Sequence, residues 1–145
     1  VLGTVGIIGG GLVSAATGPL SWQHGSWAAA YLVLVVGVAQ LVFGVGQAWL
    51  AHELPGRPTI VWELVGWNLG SALVIVGAVL ERPVVVDVGG ALLVVALVLF
   101  ARVVRVGRPG DGAGSPWIHW VYLLLVLVIL VSIPIGLVLA ALGGA

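Results

Sequence analysis

Charge is the scarcest property of this chain. Only 7% of its 145 residues are charged, against about 25% in an ordinary soluble domain, while 61% are hydrophobic and the mean hydropathy is +1.28. A soluble surface needs polar residues that are missing here, so the lipid bilayer is the solvent that suits the chain. Cysteine is absent, which excludes disulfides, thiolate zinc sites, iron–sulfur clusters and thiol catalysis. Lysine is absent as well: all 5 basic residues are arginine, and 5 acids balance them. No basic patch is left for a nucleic-acid backbone. Without lysine there is no phosphate loop of the Gly-rich, Lys-ended type, and no HExxH zinc motif occurs. Gly9-Gly10-Gly11 lies inside an apolar run, not after a strand, and is no nucleotide loop.

What is present is long apolar segments. A hydrocarbon core about 30 Å thick needs about 20 apolar residues as helix. Five stretches qualify: 2–20, 26–51, 59–80, 83–106 and 117–141. A spanning β-barrel would need ten-residue strands of alternating polarity, and runs such as 31–38 and 122–131 are apolar on every side. The expectation is an all-α, polytopic transmembrane helical bundle. Breakers fall between the stretches: 19–25, 52–58 with its Pro55, Gly56 and Pro58, the tight corner 81–83, and the Gly-rich segment 107–116. No such loop can hold an extramembrane domain, so residues 1–145 read as one transmembrane domain. The first span is the poorest helix by propensity, with six glycines from Gly3 to Gly18. A cleaved signal peptide would carry a basic leader that this segment lacks. Because the chain starts at Val1 and not Met, residues before it are left open.

Orientation follows the arginines. Arg57, Arg102, Arg105 and Arg108 flank two loops on one side, and Arg82 stands alone opposite. This predicts a cell-membrane protein with the N-terminus cytoplasmic and the C-terminus outside. Trp22 and Trp27 would anchor the outer edge. Trp49, Trp62, Trp117, Trp120 and Tyr122 would anchor the inner one, while Trp67 sits too deep for a belt residue.

Helices in lipid associate through small residues and interhelical hydrogen bonds. Gly6, Gly10, Ser14 and Gly18 recur every four residues and predict a groove for a partner helix, of this chain or of another subunit. Gly66 and Gly70 predict a second close approach. Gln40, Gly44 and Gln47 are spaced to share one face, from which Asn68 could be reached across a helix contact. These amides read either as structural glue or as the lining of a polar pocket; glue is the commoner use. Ser132-Ile-Pro134 should kink the last helix, with the Ser hydroxyl taking over a freed carbonyl.

Intramembrane charges are functional candidates by default. Glu63 and Asp87 lie about a turn inside their spans, at opposite membrane faces, so they form no acid/base pair. Arg57 and Arg82 are their expected structural partners. No catalytic set and no metal cluster is predicted. His52 and His119 fall on the same side and can be read as axial ligands of a haem b iron, or with a carboxylate as a transition-metal site. His24 lies opposite. The openings Trp22-Gln-His24 and Trp117-Ile-His119 look alike and hint at an inverted repeat.

The stretches His24-Gly-Ser-Trp-Ala-Ala-Ala-Tyr-Leu-Val-Leu-Val-Val-Gly-Val-Ala-Gln40 and Trp67-Asn-Leu-Gly-Ser-Ala-Leu73 resemble those of uncharacterised small multi-pass integral membrane proteins of actinobacteria. The resemblance implies a membrane protein without an assigned reaction and carries over no functional residue. The expected function is a non-enzymatic membrane subunit. It would pack in the lipid bilayer with other membrane subunits or with itself. A haem or metal redox protein and a transporter or channel protomer are the alternatives.

Overall fold

The computed structural model describes residues 1–22, 24–51, 55–105 and 116–143, and side chains of the last helix from 117 to 133. It is all-helical, with no strand among the described residues. The helices are α1 (Leu2–Thr17), α2 (Gly25–Leu50), α3 (Arg57–Val79), α4 (Pro83–Arg105) and α5 (Pro116–Gly143). Each covers one predicted stretch to within a few residues. Gly25–Leu50, Arg57–Val79 and Pro83–Val104 are long and apolar enough to cross a membrane; Leu2–Thr17 and Trp117–Ile133 are apolar but shorter. The chain divides into two compact units, Val1–Gly44 and Val45–Ala145, the division falling inside α2.

In the first unit, α1 lies along the first two-thirds of α2. Its helical bonding runs past Thr17, because the Leu20 amide still donates to the Ala16 carbonyl at 3.1 Å. The chain then reverses through a Schellman turn. Ser21 takes a left-handed φ of 48°, its amide donates to Gly18 at 3.1 Å, and Trp22 donates to Thr17 at 3.2 Å. The contact line on α1 is Gly3, Gly6 and Gly10. A Cβ on Gly6 would stand 3.0 Å from the Gly37 nitrogen, and one on Gly10 would stand 2.8 Å from the Ala29 oxygen. The two backbones therefore touch.

This corrects the predicted groove. Ser14 and Gly18 are exposed, and nothing lies within 4 Å of where a Gly18 Cβ would be. The cause is the helical period: a strict four-residue spacing drifts about 40° per step on a helix of 3.6 residues per turn. The line in contact instead alternates three and four. Its partner is the chain's own α2. There, Leu32–Ala39 forms π-helical turns, a rare geometry that the apolar run did not announce. Gln40 follows immediately; Gln40, Phe43 and Gln47 are buried, whereas Gly44, predicted to share their face, is exposed.

In the second unit, α3 and α4 form a tight antiparallel hairpin. A second Schellman turn closes it, with Glu81 at φ 52°, the Arg82 amide donating to Gly77 at 2.7 Å and Glu81 donating to Ala78 at 3.3 Å. Pro83 then occupies the first position of α4, where its missing N–H costs nothing. Above the turn, a Cβ on Gly70 would stand 2.9 Å from the Gly89 oxygen, and one on Gly89 would stand 2.7 Å from the Gly70 oxygen. Gly66 has only an ordinary contact with Ala96, at 3.5 Å. The predicted close approach therefore centres on Gly70, with Gly89 as its partner.

The core of this unit holds Trp67, Leu93, Ala96, Leu97, Phe100, Val104, Tyr122 and Val126. Trp67 meets Phe100 edge to face, with centroids 6.1 Å apart. The six other tryptophans face outward as belt residues should. Tyr122 does not: it is 4% exposed, its ring covers Gly46, and its hydroxyl donates to the Phe100 carbonyl at 3.5 Å. In α5 the helix continues through Pro134. Pro134 leaves the Leu130 carbonyl without its helical donor, but the Ser132 hydroxyl donates to Ile129 at 2.8 Å, one residue short of it.

Candidate functional site

Glu63 is the focus of the polar core. Gly56 precedes α3, Pro58 sits in its first turn, and Glu63 follows nearly two turns into the helix. Only 1% of Glu63 is exposed. The predicted partner, Arg57, is six residues away on the same helix, about 120° round it, and is itself exposed. The actual partner is Gln47, whose side-chain amide donates to Oε1 of Glu63 at 2.8 Å. Tyr122 lies within electrostatic reach of the carboxylate. Trp67, one turn further along α3, and Phe100 add apolar bulk to the same core.

Asn68 does not join this group. Its Nδ2 donates to the Leu64 carbonyl of its own helix at 2.8 Å, and the Gln47 amide donates to Glu63 instead. A side chain that can reach back four residues satisfies itself without waiting for a neighbour. Gln40 is 6% exposed, with neither amide atom hydrogen-bonded among the described residues, and the buried Ser71 hydroxyl is likewise unpaired there. Asp87 and Arg82 are both exposed at the start of α4.

His52 and Glu53 lie outside the described residues. His119 is half-buried in the first turns of α5. Among the described residues, no three His, Cys, Asp or Glu side chains cluster as a metal site would require. His24 precedes α2 as its N-cap, whereas His119 sits inside α5, so the two look-alike openings occupy different helical positions.

Chemically, the site is one carboxylate held by one neutral amide in an apolar core. It can tie α2 to α3, and it can carry a proton or a cation. The pairing had a signal in the sequence: Gln47 and Glu63 each lie eight residues from Pro55, as facing positions of a helical hairpin do. No family model matches the chain, and no curated protein or solved structure shows significant similarity to it.

Proposed function

We propose that the chain is a non-enzymatic integral membrane subunit that packs with, or stabilises, a larger membrane complex or a homo-oligomer. The observation that carries this reading is the second face of α1. Gly3, Gly6 and Gly10 are consumed by contact with α2, but Thr4, Gly11, Ala15 and Gly18 form another line of small residues, and all four are exposed. On a 3.6-residue helix they fall within an arc of about 60°, well away from the buried line. Small residues facing lipid leave a shallow channel into which a second helix backbone fits. The polar side chains add support. Gln47 and Glu63 spend their hydrogen bond on tying two helices of this chain together, as glue does.

The test is the size of the assembly. Extracted in mild detergent, and with the mass of bound detergent subtracted, the 14.8 kDa chain should run at a multiple of its own mass or with a co-purifying chain. The paired substitutions Gly11→Leu and Ala15→Leu should reduce that size while the helical circular dichroism is retained. A lone monomer with no co-purifying chain would remove the reading. A visible spectrum of the same material separates the redox alternative. A Soret band lost on replacing His52 or His119 would establish a cytochrome in its place.

One observation favours a second reading. A carboxylate as deeply buried as Glu63 is a usual mark of an ion or proton path in membrane proteins. Flux of protons or cations into liposomes that is abolished by Glu63→Gln would make the chain a transporter or channel protomer. Equal flux with and without the substitution counts that reading out.

A further inference from the structure

A groove of about 310 Å³ runs between α4 and α5. Its walls are Leu97, Val98 and Ala101 on one helix and Leu123, Val126, Leu127 and Leu130 on the other, and its one charged lining residue is Arg102. We propose that this groove holds one anionic phospholipid, with an acyl chain along the leucines and the phosphate on the Arg102 guanidinium.

Three features of the groove point to that occupant. The first is its polarity along the helix axis. Arg102 lies one turn before the end of α4 at Arg105, which is headgroup depth for a spanning helix. The apolar wall from Leu123 to Leu130 then runs about 10 Å inward at 1.5 Å per residue. A phospholipid has the same order of parts, charge first and hydrocarbon below. Trp117 and Trp120 mark the interfacial level independently: both stand in the first turns of α5, and Trp120 is 72% exposed.

The second feature is access. Val98 and Leu127 are exposed side chains, so the groove opens sideways to the surrounding hydrocarbon. A chain from the bilayer can enter without passing through the protein.

The third feature is charge. The two walls carry a single carboxylate between them, Asp87, fifteen residues from Arg102 and about 22 Å along the helix. The guanidinium therefore has no counter-charge in the walls of its own groove. A phosphate oxygen pair matches its fork of donors. Basic pockets between transmembrane helices bind acidic headgroups on this principle. A zwitterionic lipid offers the same phosphate but brings its own ammonium to it, so the site should prefer phosphatidylglycerol or cardiolipin to phosphatidylcholine.

Native mass spectrometry of the whole chain, delipidated and then titrated with each lipid, tests this. The expected result is one retained phosphatidylglycerol or cardiolipin per chain, bound about tenfold more tightly than phosphatidylcholine, the factor that about 1.4 kcal/mol supplies. Arg102→Gln should abolish the preference, Arg102→Lys should keep part of it, and Arg57→Gln, which removes a charge elsewhere, should leave it intact. Ala101→Leu, which fills the groove, should weaken all lipids alike. Equal retention of acidic and zwitterionic lipid by the native chain overturns the proposal, as does a preference that survives Arg102→Gln. Inorganic phosphate alone should protect nothing against thermal unfolding; protection equal to the lipid's would make this an ion site, and the lipid assignment would fall. Loss of a larger assembly on Ala101→Leu, with lipid retention unchanged, would give the groove to a protein helix and overturn the proposal too.

Discussion

The Gln47 side chain reaches across from α2 to donate a 2.8 Å hydrogen bond to Glu63 on α3, and both residues are almost wholly buried. One substitution should therefore be far worse than two. Gln47→Leu leaves a buried carboxylate without its donor, which costs about 1–3 kcal/mol, whereas removing both polar groups together is close to neutral. Glu63→Gln keeps an acceptor for the amide and should be mild. Thermal unfolding in detergent should rank the variants accordingly, with Gln47→Leu lowest and Gln47→Leu/Glu63→Leu recovering most of the loss. A double variant no better than Gln47→Leu alone would show that the bond is not what holds this core.

The glycines divide into those that touch backbone and those that face open space. Gly89 has no room for a methyl, because a Cβ there would stand 2.7 Å from the Gly70 oxygen. Gly89→Ala must push the α3–α4 pair apart, and overpacking of this kind costs about 1–3 kcal/mol. Gly9 has nothing within 4 Å of the corresponding point. Gly9→Ala gains the helix propensity difference, about 1 kcal/mol at most. Melting temperatures should fall for the first and hold or rise for the second.

The same division separates what the residues alone make legible from what only packing decides. The helices and their corners were legible because apolar runs and breakers alternate without ambiguity. The faces were less so. A spacing of four looked like a groove, but the helix turns every 3.6 residues, so only Gly6 and Gly10 of that set stayed on the contact line, and Gly3 joined them. Tyr122 resembled a belt residue by its place near a helix start, yet Gly46 leaves a flat seat for its ring, and that pairing is visible only in three dimensions. Asn68 has the spacing to meet amides on another helix, but a carbonyl of its own helix lies nearer. Gln47 and Glu63 stand out one at a time as polar residues in apolar runs, and only their equal distance from Pro55 joins them.

Both Schellman turns place a residue with a side chain where glycine is usual. Ser21 and Glu81 adopt φ values of 48° and 52°, a conformation that costs an ordinary L-residue roughly 1 kcal/mol and glycine almost nothing. Glu81→Gly and Ser21→Gly should each stabilise the protein by about 0.5–1 kcal/mol. Denaturant or thermal midpoints that fall for either variant would mean the side chain contributes more than its backbone conformation costs.

The absence of cysteine makes the direction of the chain in the membrane directly measurable. Four of the five arginines flank the segments 52–58 and 107–116, and the bias of arginine toward the cytoplasm sets orientation in short-loop proteins. Single cysteines should then report opposite accessibilities. Leu20→Cys and Leu80→Cys, both at exposed positions beside the other two corners, should react with a membrane-impermeant maleimide added to intact cells. Gly110→Cys should react only after the membrane is opened. Leu20 and Leu80 must behave alike if α2 and α3 both cross, because two crossings return the chain to the side from which it left. Labelling of Gly110→Cys alone in intact cells would invert the orientation. Disagreement between Leu20→Cys and Leu80→Cys would mean that one of those two helices does not span.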